Sequence, residues 1–135
     1  MIGVLLITHG RYGRDLLSSA SHVLGRPLTQ VGHLAVSVKD EPETVLSEAR
    51  RMLHSLDDGS GVLVMTDMYG STPCNIATQL IAEGNVEAVS GVSLPMLVRS
   101  LAYRDAALAK VRDKAIAGGT EGVVYINSDP CYGKR

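Results

Sequence analysis

Two polar residues end two strongly apolar stretches of the chain. His9 closes the run in LLITHGRYGRD, residues 5–15, and Asp67 closes the run in VLVMTDMYGSTPCN, residues 62–75. A neutral imidazole has one donor and one acceptor nitrogen, so a carboxylate that accepts from the first leaves the second free to attack an electrophile. The same carboxylate stabilises the cationic ring that forms when that nitrogen is phosphorylated or alkylated. The pair predicts nucleophilic chemistry at His9 if the fold brings the two residues together.

The loop after Asp67 has the composition of an anion site. A helix is predicted to begin there at Pro73, and a helix N-terminus presents free backbone N–H groups and the positive end of a dipole. The two loops also supply small and hydrogen-bonding residues that suit a bound anion: Gly10, Gly70, Ser71, Thr72 and Asn75. We therefore expect a phosphate or acyl group to be held beside His9.

Strand and helix patterns alternate along the chain, which predicts an α/β fold with a doubly wound, mainly parallel sheet and a single domain over residues 1–135. Strands are predicted over 2–8, 33–38, 62–66, 86–91 and 121–127. Helices are predicted over 12–24, 40–56 and 73–83, and one or two more over 93–117. If the strand order begins 2-1-3, strands 1 and 3 are neighbours where the winding reverses, and His9 and Asp67 face one crevice at their carboxyl ends.

Composition excludes several classes of protein. The 135 residues carry 13 Lys and Arg against 14 Asp and Glu, and no basic block is present, so we expect no nucleic-acid binding. No apolar run approaches the roughly 20 residues of a membrane helix, and the N-terminus lacks a secretory leader. We therefore expect a cytoplasmic protein with no membrane insertion. Cys74 and Cys131 are too few for a disulfide framework, and we expect neither a metal nor a cofactor.

Other interpretations of the same residues stay open at this point. Cys74 is interpreted as a small core residue, yet it stands in the first turn of a helix, where a thiolate is favoured. A thiol hydrolase with Cys74, His9 and Asp67 is therefore an alternative. A nucleotide-binding module is weakened because no G-x-G-x-x-G follows strand 1 and the chain has no Phe or Trp for stacking. Three further histidines lie within predicted elements and are interpreted as non-functional: His22, His33 and His54.

Three stretches resemble the enzyme IIA components of the mannose family of the bacterial sugar phosphotransferase system. They are ITHGRYGRDLL (7–17), GVLVMTDMYGSTPCNIA (61–77) and GVSLPMLVRSL (91–101), in the order and spacing of the family. Together with the strand and helix alternation, the resemblance covers nearly the whole chain. It differs from the family loop, which commonly has two glycines and a bulky aromatic after the proline, at Ser71 and Cys74, and Tyr69 stands where Phe or Trp is frequent.

The resemblance implies a role and partners. Such proteins accept a phosphoryl group from the phosphocarrier protein HPr on the histidine that matches His9 and pass it to a histidine of a IIB component. The match implies that Asp67 orients the ring so that Nε2 is phosphorylated, and that the loop over 70–73, with Ser71 and Thr72, helps to hold the group. A similar IIA component can act in regulation, with its phosphorylation read by a partner, so a non-catalytic regulatory binding module is a further alternative.

The resemblance also implies an assembly. The family fold is a homodimer in which the last strand, here 121–127, is exchanged between subunits. We expect a free-standing IIA domain, without a IIB segment after residue 135. A branch of the family that serves dihydroxyacetone phosphorylation has a different loop after the histidine than GRYGRD and ranks lower.

Overall fold

The computed structural model describes residues 1–133, which form a four-stranded parallel sheet with helices on both faces. The strands lie in the order β2-β1-β3-β4. The elements follow one another as β1 (Gly3–His9), α1 (Tyr12–Leu24), β2 (Val31–Val36), α2 (Pro42–Leu56), β3 (Val62–Thr66), α3 (Thr72–Leu80), β4 (Val86–Val89), α4 (Leu94–Ala102), α5 (Leu108–Glu121) and α6 (Pro130–Gly133). The predicted fold class and the order beginning 2-1-3 are confirmed.

Both faces of β1 and β3 are covered, which explains their continuous apolar sequences. Side chains alternate between the faces, because successive residues of a strand point to opposite sides of the sheet. Val4 and Leu6 pack against α1, α4 and α5 on one face, and Leu5 and Ile7 pack against α2 and α3 on the other. These two buried layers fix the central strands, and hence the carboxyl ends at which His9 and Asp67 stand.

Most element boundaries agree with the sequence-based ones within a few residues. The strand predicted over 33–38 lies at the edge of the sheet as β2, and it begins earlier, at Val31, which pairs with Val4 of β1. The region over 93–117 forms two helices, α4 and α5. A short 3-10 turn, Ile81–Glu83, follows α3. Within residues 1–133 no helix is both long and apolar enough to cross a membrane.

The predicted fifth strand over 121–127 is wrong for the single chain. Helix α5 continues through Gly118 and Gly119 to Glu121, and residues 126–128 form a 3-10 turn. The glycines serve helix packing rather than a turn, because a Cβ on Gly118 would lie 2.8 Å from the Cβ of Arg99 and 2.9 Å from the carbonyl oxygen of Pro95. The apolar side chains beyond α5 are exposed and pair with no strand of the described chain: Val123, Val124, Tyr125 and Ile126.

Candidate functional site

The sheet brings the two predicted reactive residues to one edge. His9 is the last residue of β1, and Asp67 directly follows the last residue of β3. The two strands are hydrogen-bonded neighbours, with Ile7 opposite Thr66. The predicted juxtaposition of His9 and Asp67 is therefore found, at the point where the winding of the sheet reverses.

Three hydrogen bonds orient the Asp67 carboxylate and the His9 ring. Asp67 Oδ2 lies 2.8 Å from His9 Nδ1 and also accepts the backbone N–H of His9 at 2.9 Å. The other oxygen, Oδ1, accepts the backbone N–H of Met68 at 3.0 Å. Because an ionised carboxylate only accepts hydrogen bonds, this geometry assigns the ring proton to Nδ1 and the free lone pair to Nε2.

The two side chains of the pair differ in exposure. The His9 side chain is 47% exposed, whereas that of Asp67 is 14% exposed. Burial, the largest influence, raises the pKa of the Asp67 carboxyl, but the hydrogen bonds from the backbone and ring of His9 together outweigh it, and the pKa lies below its ordinary value. Asp67 thus stays ionised at neutral pH and stabilises positive charge on a ring that solvent and partners can reach.

A buried hydroxyl fixes the turn that follows His9 and leads from β1 into α1. Thr8 Oγ1 accepts the backbone N–H of Gly13 at 2.8 Å, and Thr8 is 1% exposed. A Cβ on Gly13 would lie 2.8 Å from that oxygen, so the close approach requires glycine. Gly10 has a φ of 48°, in the left-handed region that favours glycine. No sequence motif marks Thr8 or Gly13, although a hydroxyl residue at the end of a buried strand is a usable signal.

The first turn of α3 lies beside the His9 ring. Thr72, the first residue of α3, and His9 line a common cleft of about 40 Å³, which Val36, Ser37 and Val38 complete. No side chain caps the N-terminus of α3, because the hydroxyl of Ser71 donates instead to the carbonyl oxygen of Met68 at 2.6 Å. The free N–H groups of this turn are therefore available to an anion next to His9.

The remaining candidates lie elsewhere. Cys74 lines a different cavity from His9, and no hydrogen bond joins the two among the described residues, so the geometry does not form the thiol–imidazole pair of the alternative hydrolase. The backbone N–H of Asn75 donates to the carbonyl oxygen of Ser71 at 3.0 Å. The loop after β2, with Ser37 and Val38, borders the cleft although no sequence motif marked it.

The fold and the site define a doubly wound α/β protein with an exposed histidine that a partly buried carboxylate orients at the switch point. Residues 3–116 match a family model described as the PTS system fructose IIA component, of the EIIA-man type. The chain belongs to this family of phosphotransferase-system IIA components, of the mannose type, as its sequence resemblance implies.

Curated relatives agree with the assignment to this family. The chain is 30% identical over 132 residues to the mannose-specific EIIAB component of Escherichia coli K12, which covers 96% of this chain and 41% of that protein. It is 26% identical over 106 residues to the fructose-specific EIIA component of Bacillus subtilis, which covers 78% of this chain and 72% of that protein. The chain thus spans less than half the length of the EIIAB relative.

Solved structures share the fold over nearly the full chain. A phosphotransferase-system EIIA component from Streptococcus agalactiae superposes with a TM-score of 0.82 at 26% identity, over 92% of this chain and 96% of that one. A mannose/sorbose-specific IIA subunit from Enterococcus faecalis gives the same TM-score at 20% identity, over 93% and 94% of the two chains, and supports the fold alone.

Proposed function

We propose that this protein is a phosphocarrier that accepts a phosphoryl group from phospho-HPr on Nε2 of His9 and gives it to a histidine of a IIB component or presents it as a regulatory signal. The observation that carries the proposal is the 2.8 Å contact between His9 Nδ1 and Asp67 Oδ2 on a ring that remains half-exposed. Such a ring is held in one tautomer and still open to a large partner.

The chemistry requires one bond to form and one to break. The Nε2 lone pair of His9 attacks the phosphorus as the donor histidine's N–P bond breaks, and the donor imidazole leaves with that bond's electron pair. The proton on Nδ1 stays between the ring and Asp67, whose charge stabilises the cationic phosphorylated ring. In this proposal Thr72 and the free N–H groups at the start of α3 bind the phosphoryl oxygens, since Thr72 shares a cleft with His9. A Cβ on Gly10 would meet no atom within 4 Å, so the chain next to His9 leaves room for the group.

Exposed apolar side chains stand in the two loops that flank the site, since Val38 lines the cleft of His9 and Met68 and Tyr69 follow Asp67 in the chain. Val38 is 99% exposed, and Met68 and Tyr69 are 58% and 84% exposed. We call these three residues the docking rim. Several exposed apolar side chains near a reactive group are typical of a protein interaction site. HPr and the IIB component are the partners we propose for this rim, which places the protein in the cytoplasm with them.

We further propose that the protein is a homodimer in which residues 121–127 are exchanged. The apolar side chains of Val123 and Ile126 are largely exposed in the single chain. The outer edge of β4 pairs with no other strand within residues 1–133. An exposed apolar segment and an open strand edge are complementary. Pairing them between subunits buries the apolar side chains and provides hydrogen-bond partners for the backbone groups of the edge.

Phosphoryl transfer tests the proposed function. The full chain is incubated with phosphoenolpyruvate, enzyme I and HPr, and the phosphorylated residue is identified by mass spectrometry at alkaline pH, where phosphohistidine survives. We expect stoichiometric phosphorylation of His9, none in a folded His9→Ala variant, and normal phosphorylation of His22→Ala. Normal phosphorylation of His9→Ala contradicts the proposal.

A further inference from the structure

The third stretch that resembles the family, 91–101, starts in the loop between β4 and α4. Within the described chain, none of its residues lines the cleft of His9. Its second residue, Val92, is 2% exposed and belongs to the same apolar cluster as Leu6 and Leu97. Packing therefore fixes the position of Val92 at the end of the sheet that carries the site.

Both backbone polar groups of Val92 bond to segments that hold the reactive pair. Its N–H donates to the carbonyl oxygen of Thr66, the residue before Asp67, at 2.9 Å. Its carbonyl oxygen accepts the hydroxyl of Tyr12 at 2.9 Å. Tyr12 is the first residue of α1 and the third residue after His9. A single buried residue thus joins the strand end that carries Asp67 to the turn that follows His9.

These bonds complete a closed path through the reactive pair. From His9 the path follows the chain to Tyr12 and crosses through the tyrosine hydroxyl to Val92. It continues through the Val92 N–H to Thr66, along the chain to Asp67, and back to the backbone of His9 through Asp67 Oδ2. Apart from the Asp67 carboxylate, the Tyr12 hydroxyl is the one side-chain group on this path, so it is the link that a substitution can remove cleanly.

The other hydrogen bonds of the turn do not replace this link. The bond from Gly13 to Thr8 closes the turn within itself. On the side of β2, the N–H of Gly10 reaches the carbonyl oxygen of Val36 at 3.4 Å, longer than the usual range of about 2.7–3.2 Å. Tyr12 is therefore the group that ties the turn to the opposite side, across the end of β3.

We propose that Tyr12 is a positioning residue for phosphoryl transfer. Its hydroxyl does not touch the phosphoryl group. It holds the turn after His9 against Val92, so that the backbone of His9 and the Asp67 carboxylate keep their relative position as the imidazole becomes cationic. The role of Tyr12 in transfer rests on the proposed phosphocarrier function, whereas its effect on the geometry of the pair does not.

Transfer kinetics test the role in the reaction. Full-length protein is mixed with increasing concentrations of phospho-HPr, and the initial transfer rate is measured by rapid quench. For Tyr12→Phe we expect the maximal rate to fall about fivefold, which corresponds to about 1 kcal/mol, the net contribution of one neutral hydrogen bond. The half-saturating concentration of phospho-HPr should stay unchanged, because the hydroxyl acts on the orientation of the pair and not on docking.

A second tyrosine supplies the matched control. Tyr103 is 38% exposed, close to the 43% of Tyr12. It lies at the opposite end of the sheet, where its neighbour Arg104 bonds to Ile2, and its ring rather than its hydroxyl contacts the Lys114 ammonium, 4.6 Å from the ring centroid. Tyr103→Phe should therefore transfer at the wild-type rate.

Amide hydrogen exchange, followed by NMR, tests the geometry without any phosphoryl transfer. The backbone N–H of His9 bonds to Asp67 Oδ2, and we expect it to exchange about fivefold faster in Tyr12→Phe than in the wild type. The N–H of Val62 donates to the carbonyl oxygen of Asn85 at 3.0 Å at the other end of β3, and its exchange should not change. A purely structural role of Tyr12 would instead accelerate both amides.

A double variant shows whether Tyr12 acts through Asp67. In an Asp67→Asn background the charge that Tyr12 helps to position is already absent, so adding Tyr12→Phe should lower the rate by less than about twofold more. Two effects that simply multiply would mean that Tyr12 acts on transfer by another route and would overturn the proposal.

The other outcomes are equally decisive. A wild-type maximal rate for Tyr12→Phe, or a change confined to the half-saturating concentration, overturns the positioning role, and so does equal acceleration of the His9 and Val62 amides. If the wild-type protein accepts no phosphoryl group from HPr, the proposed function fails. The exchange of the His9 amide then decides by itself whether Tyr12 holds the pair.

Discussion

A single carboxylate oxygen, Asp67 Oδ2, accepts two hydrogen bonds from His9, one from the ring Nδ1 at 2.8 Å and one from the backbone N–H at 2.9 Å. The backbone bond fixes the carboxylate relative to the end of β1, and the ring bond then fixes the imidazole relative to the carboxylate. The orientation of the ring therefore depends on the sheet rather than on a mobile loop.

Replacing Asp67 by Asn should slow phosphoryl transfer without unfolding the protein. The amide carries no charge to stabilise the imidazolium, and its NH₂ group favours the wrong tautomer of the ring. By analogy with the loss of a triad carboxylate, we expect a decrease of about 10²–10⁴ in the transfer rate. Asp113→Asn is a matched control, because Asp113 is exposed and, among residues 1–133, forms its ion pair with Arg112, its neighbour in α5. Wild-type rates for a folded Asp67→Asn protein would show that the pair plays no part in transfer.

The stability of the protein should depend on pH through Asp67. Its pKa is lower in the folded protein than in the unfolded chain, so the stabilisation is fully present above the unfolded value, about 3.9, and is lost as the pH falls through the folded value. Urea unfolding of the wild type and Asp67→Asn should therefore differ most near pH 6, with a difference that shrinks below about pH 4. A constant difference down to pH 3 contradicts this assignment.

The Thr72 hydroxyl should contribute more to transfer than that of Ser71. Thr72 borders the cleft of His9, whereas the Ser71 hydroxyl already donates to Met68. A hydrogen bond to a charged group contributes about 1.5–3 kcal/mol, so Thr72→Val should lower the transfer rate roughly ten- to hundredfold. Ser71→Ala should change it less than Thr72→Val does. Steady-state transfer from HPr measures both, and the reverse order of effects argues against this arrangement of the site.

Replacing Gly13 by Ala should destabilise the fold. The new Cβ would lie 2.8 Å from Thr8 Oγ1 and 3.3 Å from the Cβ of Leu6, both in the packed interior. Overpacking of this kind costs about 1–3 kcal/mol. Ser19→Ala, on the exposed face of the same helix, should change the free energy of unfolding by less than about 0.5 kcal/mol. Urea titration compares the two variants, and equal midpoints would mean that the turn has room to adjust.

The exchanged segment should determine the oligomeric state. Sedimentation equilibrium of the full chain at micromolar concentration should give about twice 14.3 kDa. A chain that ends at Gly122 keeps α5 whole but lacks the apolar segment, and it should sediment as a monomer with increased binding of a hydrophobic dye at the edge of β4. A monomeric full chain, or a truncated chain that remains dimeric, contradicts the proposed exchange.

The sequence predicted the parts of the site that follow from strand order. The buried runs that end at His9 and Asp67 identify central parallel strands, and the rules for doubly wound sheets then place their carboxyl ends together. The absence of a strand over 121–127 in the single chain was not predictable in this way. An apolar run of that length has the same pattern whether its strand neighbour lies in the same chain or in another, so the pattern alone does not say where a partner edge is.

Close contacts between neighbouring elements could not be predicted from the sequence either. Two consecutive glycines are typical of a turn, yet Gly118 and Gly119 lie within α5. Glycine is required at Gly118 because α4 approaches α5 too closely there for a side chain. The hydrogen bond from Gly13 to Thr8 depends on the exact path of the β1–α1 turn, which no spacing rule encodes. Likewise, Thr72 lines the cleft of His9, whereas Cys74, two residues further along α3, lines a different cavity. Which residue faces which space depends on the rotation of the helix about its axis.

The central claim is that Asp67 holds the proton on Nδ1 of His9 so that Nε2 takes the phosphoryl group. NMR spectroscopy of protein with ¹⁵N-labelled histidine rings tests this directly after phosphorylation through HPr, with the His9 signals assigned from a His9→Gln variant. The account predicts a ³¹P–¹⁵N coupling at Nε2 of His9 and a protonated Nδ1. A coupling at Nδ1, or at any histidine other than His9, would contradict it.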